Sequence, residues 1–279
     1  MSAEAYQVFA LRYATSGPRR RGENFIMADL HDAPMPMDYY IWAIRNEIRT
    51  IVVDTGFTPE AARRRGRRHL VDPAVLLAAI GIAAEDVADV VLTHLHYDHA
   101  GNLAHFPKAR FHLQDTEMAY ATGRPMCHAC LAQPFDVEDV VQVVRHVHGG
   151  RVRFHDGTAE IAPGVSLHRV GGHTGGLQVV RVRTARGWLV LASDAFHYTE
   201  NRLSRRPFPL VFHVGEMLEG FRLCEELADG EDLIIPGHDP AVRARWPRWQ
   251  DNENIVRVDL APQAADRDHS TGSGQGAPP

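Results

Sequence analysis

Apolar residues along the chain fall into short runs separated by stretches with helical spacing. Residues 6–14, 38–45 and 50–57 are rich in β-branched and aromatic side chains, which predicts three strands near the amino terminus. Residues 73–82 have the spacing of a short helix, and the continuous apolar run at 86–93 is typical of a buried strand. The first third of the chain therefore predicts several strands with a helix among them.

Strand and helix signals continue in the rest of the chain. The predicted elements are a strand at 110–114, a mostly helical region at 116–148 after a helix start at Asp115, strands at 151–157 and 164–172, a hairpin at 176–194, a helix at 215–229 and a strand at 231–239. Two blocks of strands, with helical segments between and after them, predict a layered α/β fold whose sheets are covered by helices on their outer faces.

The length of 279 residues is compatible with one large domain. We assign residues 1–261 to that domain and predict that residues 262–279 form a disordered tail, because they have low complexity and few large apolar side chains. The amino terminus does not resemble a signal peptide, and no run of 18 apolar residues occurs. We therefore expect a cytoplasmic protein that does not span a membrane.

Composition narrows the possible partners. The net charge of −5, with a single lysine at Lys108, argues against a nucleic-acid partner. The arginine cluster at 62–70 is compatible with an anionic partner, but a solvated loop or helix face is the simpler interpretation. Cys127 and Cys130 form a lone C-x-x-C that we interpret as a structural or incidental pair. The aromatic amino-terminal segment is compatible with a homodimer.

Metal-binding residue types are concentrated in THLHYDHAG, residues 93–101. Within this stretch His94, His96, Asp98 and His99 directly follow an apolar run. Neutral imidazoles and ionised carboxylates are the ligands of zinc and similar divalent ions. By spacing, His94 and His96 can lean towards one ion from the strand end, whereas Asp98 and His99 can address a second ion from the following turn. The loop therefore predicts a metal site.

Three later motifs add further candidate ligands, each placed after a β-type run. They are His173 in VGGHTGG, Asp194 in LVLASDAF and His238 in LIIPGHD. Carboxyl ends of strands in one sheet lie side by side, so we expect these side chains to meet the first loop. Seven ligands exceed the needs of one tetrahedral ion, but two ions roughly 3.5–4 Å apart could share them, with a carboxylate and a hydroxide between. The expected chemistry is hydrolysis.

Together these motifs resemble the metallo-β-lactamase superfamily, and Asp54-Thr55-Gly56 resembles its early Asp-Thr-Gly turn. The resemblance covers roughly residues 36–245 and implies an αββα sandwich with a dinuclear metal site at one edge of the sheets. It implies one ion held by His94, His96 and His173, a second held by Asp98, His99 and His238, and Asp194 as the bridging ligand. Zinc is the expected metal, and cobalt, manganese and iron are also compatible with these ligands.

Within that superfamily, HLHYDHAG and SDAFHYTEN most resemble the N-acyl homoserine lactonases. This resemblance implies that a metal-bridging hydroxide opens the lactone ring, and that a tyrosine shortly after the bridging aspartate assists the carbonyl. Tyr198 is our candidate for that tyrosine, and His197 is the competing position because it stands three residues after Asp194. Asp98 or a water would protonate the leaving oxygen.

Residues 33–40, with Met35 and Met37, and also Phe25, are candidate walls for an acyl chain, since methionines suit an adaptable apolar surface. The same ligands also permit other reactions. The alternatives are hydrolysis of another small lactone such as 4-pyridoxolactone, a thioesterase of the glyoxalase II type, and a mononuclear-iron persulfide dioxygenase. The sequence favours a lactone as the small-molecule substrate because only a short segment follows His238 and the second-metal ligands are complete.

Overall fold

The computed structural model describes residues 5–27, 29, 31 and 33–263, so positions 264–279 of the predicted tail lie outside the described residues. The strands are β1 Gln7–Ser16, β2 Asp38–Arg45, β3 Thr50–Val53, β4 Arg67–His69, β5 Asp89–Val91, β6 Arg110–Gln114, β7 Val152–His155, β8 Thr158–Ala162, β9 Val165–Arg169, β10 Gln178–Thr184, β11 Gly187–Ser193, β12 Ile234–Pro236, β13 Arg248–Trp249 and β14 Asn252–Arg257. The helices are α1 Pro59–Arg64, α2 Pro73–Ala79, α3 Tyr97–Ala100, α4 Asp115–Ala121, α5 Ala129–Ala132, α6 Val137–His148, α7 Thr199–Ser204, α8 Val214–Leu227 and α9 Pro240–Arg245.

Within the described residues, these strands form two sheets. The larger has the order β13-β14-β1-β2-β3-β5-β6-β7, with β4 paired to β1, and the smaller has the order β12-β11-β10-β9-β8. The strands β3, β5, β6 and β7 run parallel, and so do β11 and β12. Their carboxyl ends therefore deliver the residues that follow them to one edge of each sheet.

Apolar side chains of β1 point alternately to the two faces of the larger sheet, which explains why the two sheets stack face to face. Val8 and Ala10 belong to the apolar layer between the two sheets, which they share with Leu167 and Val180 of the smaller sheet. The neighbouring residues of β1, such as Phe9, point to the opposite face and enter the second apolar cluster, which includes α2 and α8. Helices thus cover both outer faces, and the predicted αββα sandwich is confirmed.

Local signals explain several element boundaries. Helix α2 begins where the Asp72 carboxylate accepts the Ala74 N–H and Pro73 occupies the first helical position. It ends before Gly81, whose φ of +78° is the left-handed conformation that glycine adopts freely, as predicted. Strands β2 and β6 coincide with the predicted runs at 38–45 and 110–114.

One region differs from the prediction. The segment that holds the arginine cluster at 62–70, for which the sequence predicted no strand, forms α1 and β4. Strand β4 carries only arginines and a histidine, so it has no apolar signature, and it exists because it pairs with the exposed end of β1. No helix in the described part of the chain is long and apolar enough to cross a bilayer.

Candidate metal centre

The seven candidate ligands lie at the edge of the two sheets and form two groups. One contains His94, His96, His173 and Asp194, and the other contains Asp98, His99 and His238. Within each group one ligand atom from every side chain lies within 4.8 Å of the others, and all seven residues are buried. The structure therefore brings together residues that are up to 144 positions apart in the sequence.

Three imidazole nitrogens converge in the first group. The Nδ1 atom of His96 lies 3.0 Å from the Nε2 atom of His94 and 3.0 Å from the Nε2 atom of His173. In the second group, Asp98 Oδ2 lies 3.7 Å from His99 Nε2 and 3.8 Å from His238 Nε2. Each group surrounds a space of the size that one metal ion fills.

Asp194 lies between the two groups. Its Oδ2 atom is 3.1 Å from His173 Nε2 and faces the first group. Its Oδ1 atom is 3.0 Å from His238 Nε2 and 3.5 Å from His99 Nε2, and faces the second group. One carboxylate oxygen towards each group is the arrangement of a bridging ligand.

Unpartnered atoms at this centre indicate that the donor set suits cations. His99 Nε2, His238 Nε2 and Asp194 Oδ1 are buried and have no hydrogen-bond partner among the described residues. Leaving such atoms without a partner is costly, and an ion coordinated by nitrogen and oxygen lone pairs would remove that cost. The residues present therefore fit two divalent cations.

Hydrogen bonds to the far nitrogen of three histidines hold their rings in place. His99 Nδ1 donates to Asp54 Oδ2 at 2.8 Å, His173 Nδ1 to the Leu210 carbonyl at 2.7 Å, and His238 Nδ1 to the Asp38 carbonyl at 2.9 Å. Because these oxygens only accept, Nδ1 carries the proton and Nε2 directs its lone pair to the centre. This is the arrangement expected of histidine ligands and their supporting partners.

Asp54 and Ser193 both have left-handed backbones, with φ of +61° and +45°, at the ends of β3 and β11. Asp54 Oδ1 accepts the Thr93 N–H at 2.8 Å, and the Thr93 hydroxyl lies 2.8 Å from the Ser193 hydroxyl. These contacts tie the ends of three strands together. Strained backbone of this kind persists where surrounding contacts hold it, and it is common at functional sites.

Glu117, which the sequence analysis did not identify, joins two ligand-bearing loops. Its Oε1 atom accepts the Leu95 N–H at 2.9 Å, and its Oε2 atom accepts the Thr174 hydroxyl at 2.6 Å and the Gly176 N–H at 3.0 Å. Gly176 is required here, because a Cβ at that position would lie 2.1 Å from the Glu117 nitrogen. A single glutamate in the first turn of a predicted helix gives no signal of this role.

The protonation of the imidazoles differs between the two ligand groups. Burial acts to lower the pKa of His99 and His238, but the Asp194 carboxylate outweighs it and raises the pKa of both, so a cation binding there would displace a proton. Burial lowers the pKa of the His94 and His96 imidazoles well below their usual value, so both rings are neutral. Burial acts to raise the pKa of Asp194, but His197 and His238 outweigh it and hold that pKa well below the usual range. Neutral imidazoles beside an ionised carboxylate are the forms that coordinate divalent ions.

A cleft of about 190 Å³ opens onto the centre and is lined by Asp98, Asp194, His96 and His197. Met37 lines this cleft, but Met35 and Phe25 are not among its lining residues. Met35 packs against the core, and the Phe25 ring lies against the guanidinium groups of Arg21 and Arg206.

His197 and Tyr198 differ in where they point. His197 Nε2 lies 3.2 Å from Asp194 Oδ2, and the ring faces the cleft. The hydroxyl of Tyr198, which is 1% exposed, donates to the Pro36 carbonyl at 3.1 Å, and the side chain is not among those lining the cleft. The two cysteines of the C-x-x-C pair, Cys127 and Cys130, are exposed free thiols.

The family description of the metallo-beta-lactamase superfamily matches residues 36–245. The probable metallo-hydrolase Rv2300c of Mycobacterium tuberculosis is 27% identical over 224 residues, which cover 71% of this chain and 69% of that protein. The N-acyl homoserine lactonase AiiB of Agrobacterium fabrum is 31% identical over 169 residues, or 54% of this chain and 60% of AiiB.

Two solved structures resemble the chain along most of its length. One is a quorum-quenching N-acyl homoserine lactone lactonase with a TM-score of 0.70, 21% identity, and coverage of 86% of this chain and 95% of that chain. The other is AidC, described as a dizinc quorum-quenching lactonase, with a TM-score of 0.66, 17% identity, and coverage of 86% and 90%. At these identities, the similarity to both structures shows the shared fold.

Proposed function

The chain belongs to the metallo-beta-lactamase superfamily, and we propose that it is a two-metal hydrolase that opens the rings of small lactones. The observation that carries the proposal is the position of Asp194, which directs one oxygen to each of two groups of buried ligands. A carboxylate shared in this way suits a pair of ions better than a single one.

His94, His96 and His173 would hold the first ion, and Asp98, His99 and His238 the second, with Asp194 between them. When bound, two divalent ions supply Lewis acidity and make a water nucleophilic near neutral pH. The protein's contribution is to orient the imidazoles of His99, His173 and His238 through their Nδ1 hydrogen bonds. Zinc is the metal that we propose, since AidC is described as a dizinc enzyme.

His197 rather than Tyr198 is the side chain that we propose assists the lactone carbonyl. The ring of His197 lies on the cleft and stacks on Phe208, with centroids 3.7 Å apart, so its orientation is restrained. The Tyr198 hydroxyl is engaged with the Pro36 carbonyl and would have to leave that bond to reach a substrate. An N–H donor held where negative charge develops lowers the barrier to acyl transfer.

Asp98 lines the cleft, and its carboxylate would accept a proton from the attacking water and pass it to the departing ring oxygen. Tyr97, next to it in α3, closes that side of the cleft together with Tyr39. N-acyl homoserine lactones are the first substrate class to test, because AiiB and AidC are named as lactonases of that class. The small cleft favours short acyl chains, since pockets for larger ligands are about 300–1,000 Å³.

The test combines metal analysis with substrate comparison. Metal-loaded protein should contain two ions per chain and hydrolyse γ-butyrolactone and N-butyryl homoserine lactone, followed by proton release. S-lactoylglutathione, bis(p-nitrophenyl) phosphate and glutathione persulfide serve as comparison substrates for the thioesterase, phosphodiesterase and dioxygenase reactions. Faster turnover of any of these three, or a single bound ion at saturation, would contradict the proposal.

A further inference from the structure

Three half-buried arginines line the cleft that leads to the metal centre. Arg19 follows β1, whereas Arg65 caps α1 and Arg67 lies in β4, so the three reach the cleft from separate segments. The sequence analysis treated the cluster at 62–70 as a solvated face. It left an anionic partner as the alternative, and the position of Arg65 and Arg67 on the cleft, where β4 pairs with β1, supports that alternative for these two residues.

None of the three forms an ion pair with a carboxylate in the part of the chain that the structure describes. Arg65 donates to the backbone carbonyls of Gln133 and Phe135, both at 2.9 Å, and those contacts fix the side chain without neutralising it. Arg67 donates through Nε to the Tyr97 hydroxyl at 3.3 Å, and its two terminal amino groups have no partner among the described residues.

Two other arginines with little exposure pair with acids, whereas the half-buried Arg45, Arg151 and Arg181 donate to backbone carbonyls and form no ion pair among the described residues. Arg12 lies 3.5 Å from Asp38, and Arg202 lies 2.7 Å from Glu225. A guanidinium that is fully buried normally obtains such a partner, whereas a half-buried one is still solvated. The three cleft arginines are half-buried, and what distinguishes them is that all three line the cleft that leads to the metal centre.

The cleft itself offers only two acids among its described lining residues, Asp98 and Asp194, and both belong to the ligand groups. Once these carboxylates bind cations they cannot also balance the arginines. The cleft then presents three guanidinium groups that no carboxylate among its described lining residues neutralises, and this favours an anionic group in the molecule that enters it.

The arginines stand close to the reacting position. The Arg19 guanidinium carbon lies 5.1 Å from the centre of the Phe208 ring, which stacks on His197. On the other side, the Arg65 guanidinium carbon lies 3.9 Å from the centre of the Tyr97 ring, next to Asp98. A group bound by these arginines is thus separated from the metal ligands by about one side chain.

We propose that Arg19, Arg65 and Arg67 bind an anionic group, a carboxylate or a phosphate, carried by a small lactone whose ring lies over the metal centre. Planar guanidinium groups match the paired oxygens of both anions. A cleft of about 190 Å³ has room for a compact charged ring but not for a long acyl chain. The inference rests on the proposed lactonase activity and names its substrate class, and it predicts a lower kcat/KM for uncharged lactones, including N-butyryl homoserine lactone, than for anionic lactones of similar size.

The test uses two pairs of lactones matched in size. The first pair is γ-butyrolactone with a carboxylate on the ring carbon beside the ring oxygen, and the corresponding primary amide. The second pair is γ-(hydroxymethyl)-γ-butyrolactone and its phosphate monoester. For the metal-loaded protein, kcat/KM should favour one charged lactone over its neutral partner by about tenfold or more, and the preferred pair identifies the anion.

Arg67→Gln should remove most of that preference by raising KM for the charged lactone while leaving the neutral one within about threefold, and Arg67→Lys should restore part of it. Arg68→Gln is the matched control, because Arg68 is the exposed neighbour on the opposite face of β4. Arg19→Gln is an independent variant on another segment, should Arg67→Gln fold poorly.

Equal kcat/KM for charged and neutral lactones, or equal effects of Arg67→Gln and Arg68→Gln, would overturn the inference. Failure of the metal-loaded protein to hydrolyse any lactone would instead overturn the proposed function. Binding at the anion site would then be measured by calorimetry with the carboxylate lactone and the amide lactone. Binding of the carboxylate alone, weakened about tenfold by Arg67→Gln, would support the site, and equal binding of both compounds would refute it.

Discussion

Replacing Glu117 with glutamine should weaken both the fold and the metal centre. Burial raises the pKa of Glu117, and the hydrogen bonds that its carboxylate accepts act against that shift. The carboxylate accepts three, from the Leu95 N–H at one oxygen and from Thr174 and Gly176 at the other. A glutamine of the same shape has one oxygen, so its NH₂ must face either the Leu95 N–H or the Thr174 and Gly176 pair. At least one buried donor is left without an acceptor.

An unsatisfied buried donor costs about 1–3 kcal/mol, so the free energy of unfolding of the metal-free protein should fall by about that amount. Leu95 lies between two histidines of the first ligand group, and Thr174 follows the third, so loosening Glu117 also loosens this group. Loss of a residue that supports metal ligands typically weakens binding about 10- to 100-fold. Urea unfolding measures the first effect, and zinc competition with a chromogenic chelator measures the second.

Asp115→Asn is the matched control, because Asp115 is an exposed acid in the same turn of α4. Its loss removes only a favourable interaction with the helix dipole, worth about 0.3–1 kcal/mol, and should not change zinc affinity. The reasoning is refuted if Glu117→Gln leaves zinc affinity at the value of the Asp115 control, since Glu117 would then be a structural residue only.

Three further predictions address other parts of the molecule. Asp194→Asn should reduce the metal content by at least one ion per chain, measured by plasma emission, and two retained ions would exclude a bridging role. His197→Phe should lower kcat/KM for the best lactone by about 10²-fold. Tyr198→Phe should lower the free energy of unfolding by about 1 kcal/mol with little change in kcat/KM. A larger loss of kcat/KM in Tyr198→Phe than in His197→Phe would assign the assistance of the carbonyl to Tyr198. Burial and then the charge of Asp136 raise the pKa of Asp139 to about 7, so its neutral form is favoured in the fold and stability is lost as the pH rises towards 7. Asp139→Asn should therefore raise the free energy of unfolding by up to about 4 kcal/mol at pH 8, with a smaller gain at pH 5, and equal gains at both pH values would contradict the assigned pKa.

The fold was predictable to the extent that its signals are local. The runs at 38–45 and 110–114 became β2 and β6 without change. The apolar run in β2 is continuous, as expected of a buried strand, whereas Phe111 and Leu113 of β6 alternate with polar residues at the period of a strand. Strand β4 was not predictable, since its arginines and histidine are held in the sheet by pairing with β1 rather than by any preference of their own. Pairing partners far apart in sequence leave no local trace.

The candidate site also has features that local sequence predicted and features that only long-range contacts determine. Residue types that bind metals, placed directly after strand-like runs, indicated the seven ligands and the edge at which they would meet. The sequence around Glu117 gave no indication of its role, because a buried glutamate cannot be distinguished from an exposed one by residue type. The positions of His197 and Tyr198 also needed the structure, which places the His197 ring on the cleft and the Tyr198 hydroxyl against the Pro36 carbonyl.

The sequence by itself determined which side chains could bind metal and which segments would be strands, because both depend on residue type and spacing. The tertiary structure alone decided that Asp194 directs its two oxygens to different ligand groups, and that Arg65 and Arg67 point into the cleft. Those outcomes depend on how two sheets stack and on which strand β4 pairs with. Contacts of that kind join residues far apart in the chain, so they are fixed only when the whole core has formed.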